Sequence, residues 1–372
     1  MLKRLYINNF RCLVNFEITF DSIHLLLGSN GVGKSTIFEV LRKIQSFISG
    51  DQKVNKIFQD SDYTRWQNAA TQSFELEVSG NAGIYKYELG VSHHQGKSRV
   101  EYERLWFDQQ PLLKFELGEV QLYRDNHSEG PAYSFDWSQS MISLLTPRND
   151  NTKLTWFKER IERLIIVQII PCLMGDESQQ ESVRLSPHME NYVSWYRYLS
   201  EDQGKVTELN SILKGVLEGF SHFKFNRVSE QILVLKLHFN SDTNYSNSVE
   251  YRFKELSDGQ KVLIALYTLL HSVKSEDYTI LIDEPENFLA LPEIQPWLVE
   301  LYDLCSRQQL QALLISHHPE LINYLLASPI GYWFERQSNA PVRVKRISNE
   351  EAKDSGLPMS ELIARGWLSG PE

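Results

Sequence analysis

The chain has 372 residues, 42% of them hydrophobic and 23% charged, and carries a net charge of −10 with eight Trp. That length allows a large core and two or three domains, and the acidic balance argues against coating nucleic acid by bulk attraction. The start, MLKRLYINNFRCL, has no signal-peptide h-region, and LIIVQIIPCLM (164–174) is too short and interrupted to span a bilayer. Cys12, Cys172 and Cys305 are far apart in sequence; they read as three buried thiols in a reducing compartment, hence a cytoplasmic protein.

In chain order, LKRLYINNF, VNFEITF and IHLLLG read as three short strands. STIFEVLRKIQSF follows as a helix with Ile37, Val40, Leu41 and Ile44 on one face. A polar loop leads into FELEVSG, IYKYELGVS and VEYERLWF, three antiparallel strands. From Pro147 the stretches LTWFKERIERLIIVQIIP and MENYVSWYRYLSEDQGKVTELNSILKGVLEGF read as mainly helical. QILVLKLHF and SVEYRF return to strand. KVLIALYTLLHSV is a helix, YTILIDEP a strand, 293–307 a helix and QALLISHH a strand; two short strands and a short helix finish the chain. No linker separates independent domains. The expectation is one head (1–372): an N-terminal lobe (1–146), a mainly helical insertion (147–235) and a C-terminal lobe (236–372). The aromatic cluster YVSWYRY (192–198) reads as core, and the insertion that carries it as a docking place for a protein partner.

Gly28-Ser29-Asn30-Gly31-Val32-Gly33-Lys34-Ser35 fits G-x-x-x-x-G-K-[ST] between a strand and a helix. Its glycines let successive backbone N–H groups point at phosphate oxygens, and the helix brings its positive end to the same place. Lys34 is placed for the β- and γ-phosphates and Ser35 for Mg2+, with Asn30, Gly31, Gly33 and Thr36 completing the nucleotide cradle. TILIDEPE (279–286) is an apolar strand ending in two acids; Asp283 is placed to hold Mg2+ and Glu284 to polarise an attacking water. ELSDGQK (255–261) reads as a capped helix start, Ser257 and Gln260 forming a capping box.

LSDGQ, about 25 residues before the acid-terminated strand, resembles the LSGGQ signature of ABC-class ATPases, with Asp258 in place of the first glycine. The resemblance implies that Ser257, Gly259 and Gln260 of one head cap the γ-phosphate held by another. LLISHHPEL (313–321) resembles the switch segment of that class, His317 matching the histidine that contacts the γ-phosphate. INNFRCLVNFEITF resembles the opening of SMC and DNA-repair ATPases, which makes Arg11 the arginine that approaches the phosphates. The class also has a glutamine that senses Mg2+ between its lobes; Gln139 and Gln72 are the candidates.

Lys34 and Asp283 lie about 250 positions apart, farther than in transporter heads of this class, and the intervening segment has no sustained heptads. The chain is therefore similar to the compact branch of SMC-like, AAA-type heads, as in the ATPase portion of OLD (overcoming lysogenization defect) proteins. Only about 90 residues follow Glu284, too few for the Toprim nuclease of that family. After the acids, Ala290 and Leu291 replace the Asp or His-Pro of the dimer-facing loop, which puts cross-talk between two sites through that loop in doubt.

The resemblance implies an α/β fold: an ABC-type P-loop ATPase head with a mixed sheet, an antiparallel β lobe and a helical insertion. It implies ATP and Mg2+ as ligands, a homodimer or higher homo-oligomer of heads, and no membrane. It implies a regulatory ATPase that controls a separately encoded protein effector in bacterial anti-phage defence. The alternative is an ATP-dependent clamp on DNA; a nuclease in its own right ranks last.

Overall fold

The computed structural model describes residues 1–94, 97–240, 248–273, 277–325, 330–347 and 357–365. Strands β1 (Leu2–Asn8), β2 (Phe16–Thr19) and β3 (Ile23–Gly28) lead into helix α1 (Lys34–Ser49) and a short helix α2 (Val54–Ile57). Six antiparallel strands follow: β4 (Thr71–Gly80), β5 (Gly83–His94), β6 (Lys97–Phe107), β7 (Gln110–Glu116), β8 (Glu119–Tyr123) and β9 (Glu129–Ser134). They join β1 and β2 in an eight-stranded sheet of order β2-β1-β4-β5-β6-β7-β8-β9. The alternation legible in β4 puts Phe74, Leu76 and Val78 inside, as a sheet with one covered face requires.

The middle of the chain holds α3 (Thr152–Glu162), β10 (Leu164–Gln168), β11 (Glu177–Ser178), α4 (Tyr192–Leu199), α5 (Gln203–Val216), β12 (Phe220–Arg227), β13 (Leu233–Asn240) and β14 (Ser248–Arg252). Then come α6 (Asp258–Ser272), β15 (Thr279–Asp283), α7 (Leu291–Ser306), β16 (Gln311–Ile315), α8 (Pro319–Leu325), β17 (Gly331–Glu335), β18 (Arg343–Arg346) and a last helical turn, Met359–Ala364.

The central sheet has the order β10-β15-β16-β3-β17-β18, parallel throughout except for β18. Its inner strands β15, β16 and β3 are buried on both faces, so they read as continuous apolar runs. Side chains alternate between two cores. Leu26, Leu281, Leu313 and Ile315 face the antiparallel lobe and α1, whereas Leu25, Leu27, Ile280, Ile282 and Leu314 face α4, α5, α6 and α7. The sheet thus holds the phosphate-loop strand β3 and the acid-bearing strand β15 in fixed register, with β16 between them.

The mainly helical insertion needs correction. Leu164–Gln168 does not continue helix α3; it is the strand that edges the central sheet, paired in parallel with β15 from Leu164 opposite Thr279 to Gln168 opposite Asp283. Three consecutive β-branched residues, Ile165, Ile166 and Val167, suit that place. The region outside the head's own sheet begins after β10, and it includes strands β11 and β12 as well as α4 and α5. The aromatic cluster is core: Tyr192, Trp195 and Tyr196 are buried, and Tyr192 stacks on Phe253 at 5.1 Å. Only Tyr198 of that cluster is left at the surface. Of the three cysteines, Cys12 and Cys305 are buried as expected, but Cys172 is exposed.

Candidate nucleotide site

The loop between β3 and α1 is shaped by three glycines in the left-handed half of backbone space, Gly28 (φ 141°), Gly31 (φ 78°) and Gly33 (φ 108°). Two of them also serve close approach. A Cβ on Gly28 would lie 2.4 Å from the Phe334 carbonyl of β17, and one on Gly33 would lie 2.8 Å from Cys12 Sγ. No other residue type fits either position. Asn30 and Gly31 are exposed at the loop's apex, and Thr36 is half-buried in the first turn of α1. Lys34 is buried, its ammonium donating to the Gly28 and Ser29 carbonyls at 2.7 and 3.0 Å. Burial lowers its pKa, and the charges of Asp283 and Glu284 oppose that shift.

Ser35 Oγ donates to Asp283 Oδ2 at 2.7 Å, joining two residues that lie 248 positions apart in the chain. Burial raises the Asp283 pKa and the neighbouring Glu284 charge adds to the rise, while Ser35, Lys34 and His317 pull it down. The next residue leaves the strand in a left-handed conformation: Glu284 has φ 53°, its N–H donates to the Ile315 carbonyl at 2.8 Å, and its Oε2 accepts from Asn287 Nδ2 at 2.6 Å. His317 Nε2 lies 3.9 Å from Glu284 Oε1. A hydroxyl, two carboxylates, an ammonium and an imidazole therefore meet at the carboxyl ends of β3, β15 and β16.

Glu286 adds a residue that motif reading passed over. Its buried Oε1 accepts from Ser316 Oγ at 2.5 Å and from the His317 N–H at 3.3 Å, tying the switch segment to the acid loop. Its only signal in the sequence is the last acid of DEPE. Gln168 is the other omission. It ends β10 directly beside Asp283 in the sheet and is half-buried there. The candidates chosen from sequence lie elsewhere. Gln139 donates to Asp136 Oδ2 at 3.3 Å on the exposed side of the antiparallel lobe. Gln72 is fully buried, with its amide on the Asn9 carbonyl at 3.1 Å and its oxygen at 3.1 Å from His93 Nε2.

Arg11 (φ 48°) lies beside the loop, next to the Cys12 that packs on Gly33. Its guanidinium is engaged by carboxylates, Glu39 at 2.5 and 2.7 Å and Asp62 at 3.1 Å. Glu39 stands one helical turn along α1 from Ser35, on the same side. The signature segment is not drawn into this group. Ser257 caps α6, its Oγ accepting from the Gln260 N–H at 3.2 Å while Gln260 Oε1 accepts from the Ser257 N–H at 3.0 Å. Gly259 packs tightly on the loop after Glu284: a Cβ there would lie 2.9 Å from the Phe288 carbonyl.

A family model described as an AAA ATPase domain matches residues 1–80, and one described as "AAA domain, putative AbiEii toxin, Type IV TA system" matches residues 190–323. The crystal structure of the SmcHead bound to the C-winged helix domain of ScpA superposes with a TM-score of 0.53 at 11% identity, covering 95% of this chain and 99% of that one. The SMC head domain from Thermotoga maritima aligns over 93% of this chain and 99% of its own, with a TM-score of 0.48 at 12% identity. The fold is that of an SMC-like, ABC-class ATPase head. In sequence the chain is similar to the OLD nuclease of Thermus scotoductus (strain ATCC 700910 / SA-01), 19% identical over 336 residues, which are 86% of this chain. The matched region spans 59% of that protein's length. Among the described residues no helix is long and apolar enough to cross a membrane.

Proposed function

We propose that this head binds ATP with Mg2+ and hydrolyses it between two copies of the chain, using the nucleotide state to control a protein effector in defence against phage. The observation that carries the chemistry is the 2.7 Å bond joining Ser35 to Asp283, with Glu284 and His317 beside it. A hydroxyl and a carboxylate in contact are a hard oxygen pair of the kind Mg2+ takes, and Gln168 is the neighbouring side chain able to complete the set. When bound, Mg2+ neutralises charge on the β- and γ-phosphates. Lys34 and the loop N–H groups hold the phosphate chain. Glu284 accepts the proton of the attacking water, and His317 meets the γ-phosphate. Arg11, held by Glu39 one turn along α1 from Ser35, approaches the phosphates, and Ser257 acts across the dimer on the partner's nucleotide.

The effector reading is supported by the SmcHead structure, where a head of this fold carries a protein partner. The defence reading is supported by the similarity to the OLD nuclease and to a model whose description names a putative toxin. Exchanging Glu284 for Gln keeps size and hydrogen bonding but removes the base. ATP should still bind, and turnover should fall about 10²- to 10⁴-fold. Lys34→Ala should instead abolish nucleotide binding. Undiminished turnover in Glu284→Gln would overturn the assignment of the base.

A further inference from the structure

Segments distant in sequence converge on the flank of the phosphate loop that lies away from the carboxylates. Cys12 Sγ and Val342 Cγ2 both press on Gly33, at 2.8 and 3.1 Å from where its Cβ would be, and the Val342 N–H donates to the Cys12 carbonyl at 3.0 Å. The loop joining β17 to β18 is therefore seated on the phosphate loop. In it, Arg336 Nε donates to the Ala340 carbonyl at 3.1 Å, and the guanidinium lies over the indole of Trp66, 5.3 Å from its centroid. Trp66 arrives from the other side of the same junction. The turn that carries it is tied to the 9–11 segment by the Arg11 N–H donating to the Asp62 carbonyl at 2.7 Å and the Thr64 N–H to Asn9 Oδ1 at 3.3 Å.

Trp66 belongs to neither hydrophobic core and is 37% exposed. Core packing therefore does not account for so large an aromatic residue at this place. The topology supplies a direction. In the central sheet β3 has β16 and β15 on one side, whose ends carry His317, Asp283 and Glu284, and β17 and β18 on the other. With the γ end of a triphosphate at Ser35 and Asp283, the β17–β18 flank is the side of the loop left for its sugar and base. There it meets a flat indole and a flat guanidinium already in contact.

We propose that Trp66 and Arg336 form the platform on which the purine ring of the nucleotide stacks. The proposal rests on the nucleotide-site reading above and adds the base-recognising end that the phosphate-loop motif lacks. A purine offers a π face that an indole or a guanidinium plane binds without reading hydrogen bonds. Affinity for the base, rather than discrimination between bases, is what this pair would contribute.

Calorimetric titration with ATP, ADP and inorganic tripolyphosphate, each with Mg2+, tests it on the wild type, Trp66→Ala, Trp66→Phe, Arg336→Ala and Lys34→Ala. Unchanged melting temperatures establish that the variants fold. Trp66→Ala should weaken ATP and ADP about tenfold, the scale of one aromatic–base stack, and leave tripolyphosphate unchanged. Arg336→Ala should weaken them in the same direction, and Trp66→Phe should keep most of the affinity. ATP affinity unchanged in Trp66→Ala but lost in Lys34→Ala overturns the platform alone, as does an equal loss of ATP and tripolyphosphate in Trp66→Ala. ATP affinity unchanged in Lys34→Ala overturns the phosphate-site reading, and the platform falls with it.

Discussion

Glu103 is the most deeply buried carboxylate of the antiparallel lobe, and nothing in the sequence marks it. It is wholly enclosed on β6 and accepts from Ser140 Oγ at 2.5 Å, Tyr87 OH at 2.9 Å and the Met141 N–H at 2.9 Å. Burial pushes its pKa from the ordinary 4.5 up to about 7, with those three donors pulling the other way. The sign follows from linkage. Between pH 4.5 and about 7 the unfolded chain has lost this proton while the folded chain keeps it, so stability from this group falls as pH rises. The full span is roughly 3 kcal/mol. Urea denaturation of the wild type and Glu103→Gln at pH 8 and pH 5 checks this. The glutamine variant should be more stable relative to the wild type at pH 8 than at pH 5, by a margin of that order. An equal difference at both values would show that Glu103 ionises normally. Lys34 and Asp283 show the same cost of burial at the nucleotide site, but there each also faces an opposite charge, Lys34 the carboxylates of Asp283 and Glu284 and Asp283 the ammonium of Lys34.

At the scale of elements, helix α6 tests how the signature segment is held. Replacing a helical Gly by Ala ordinarily stabilises by about 1 kcal/mol. At Gly259 the added methyl would lie 2.9 Å from the Phe288 carbonyl, in the loop that begins at Glu284. Gly259→Ala should therefore bring no rise in melting temperature, and its ATPase activity should drop several-fold because the loop behind Glu284 must shift. A stabilised, fully active variant would mean that the loop moves freely. The elements also show what was legible from sequence. The phosphate loop, the acid-terminated β15 and the capped α6 carry their geometry in local signals: glycines, an apolar run, a capping box. Helix α1 was legible because its buried face, Ile37, Val40, Leu41 and Ile44, follows the helical period. Strand β10 was not, because a short apolar run has no period of its own, and the helical pattern before it extends naturally into LIIVQ. With β10 unseen, Gln168 could not be placed beside Asp283, and the glutamines offered from sequence, Gln139 and Gln72, have their hydrogen bonds elsewhere. Glu286 and Glu103 were hidden for a different reason. A buried acid is recognised by the donors around it, and those come from residues remote in sequence.

For the whole molecule, the division of labour between two chains is the claim most open to test. The described site gathers Lys34, Ser35, Asp283, Glu284 and His317 on one head, whereas the hydrogen bonds of Ser257 are local to its own capping box. The chain holds one phosphate loop and one signature segment. If each nucleotide is closed by the signature of a partner, two defective chains can restore each other. A Lys34→Ala chain and a Ser257→Arg chain should each be inactive alone. Mixed, they form dimers with one site built from two intact halves and one site carrying both lesions. Activity per dimer should return to at most about half of the wild-type value, since one of the two sites is whole. The Arg at position 257 keeps the test clean, because its bulk obstructs the partner's nucleotide while leaving Lys34 of its own chain untouched. Dimer formation in the mixture is followed with differently tagged chains, captured through one tag and detected through the other. Mixed dimers that form yet hydrolyse nothing would mean that Ser257 serves the site of its own chain, and the head-to-head arrangement would have to be abandoned.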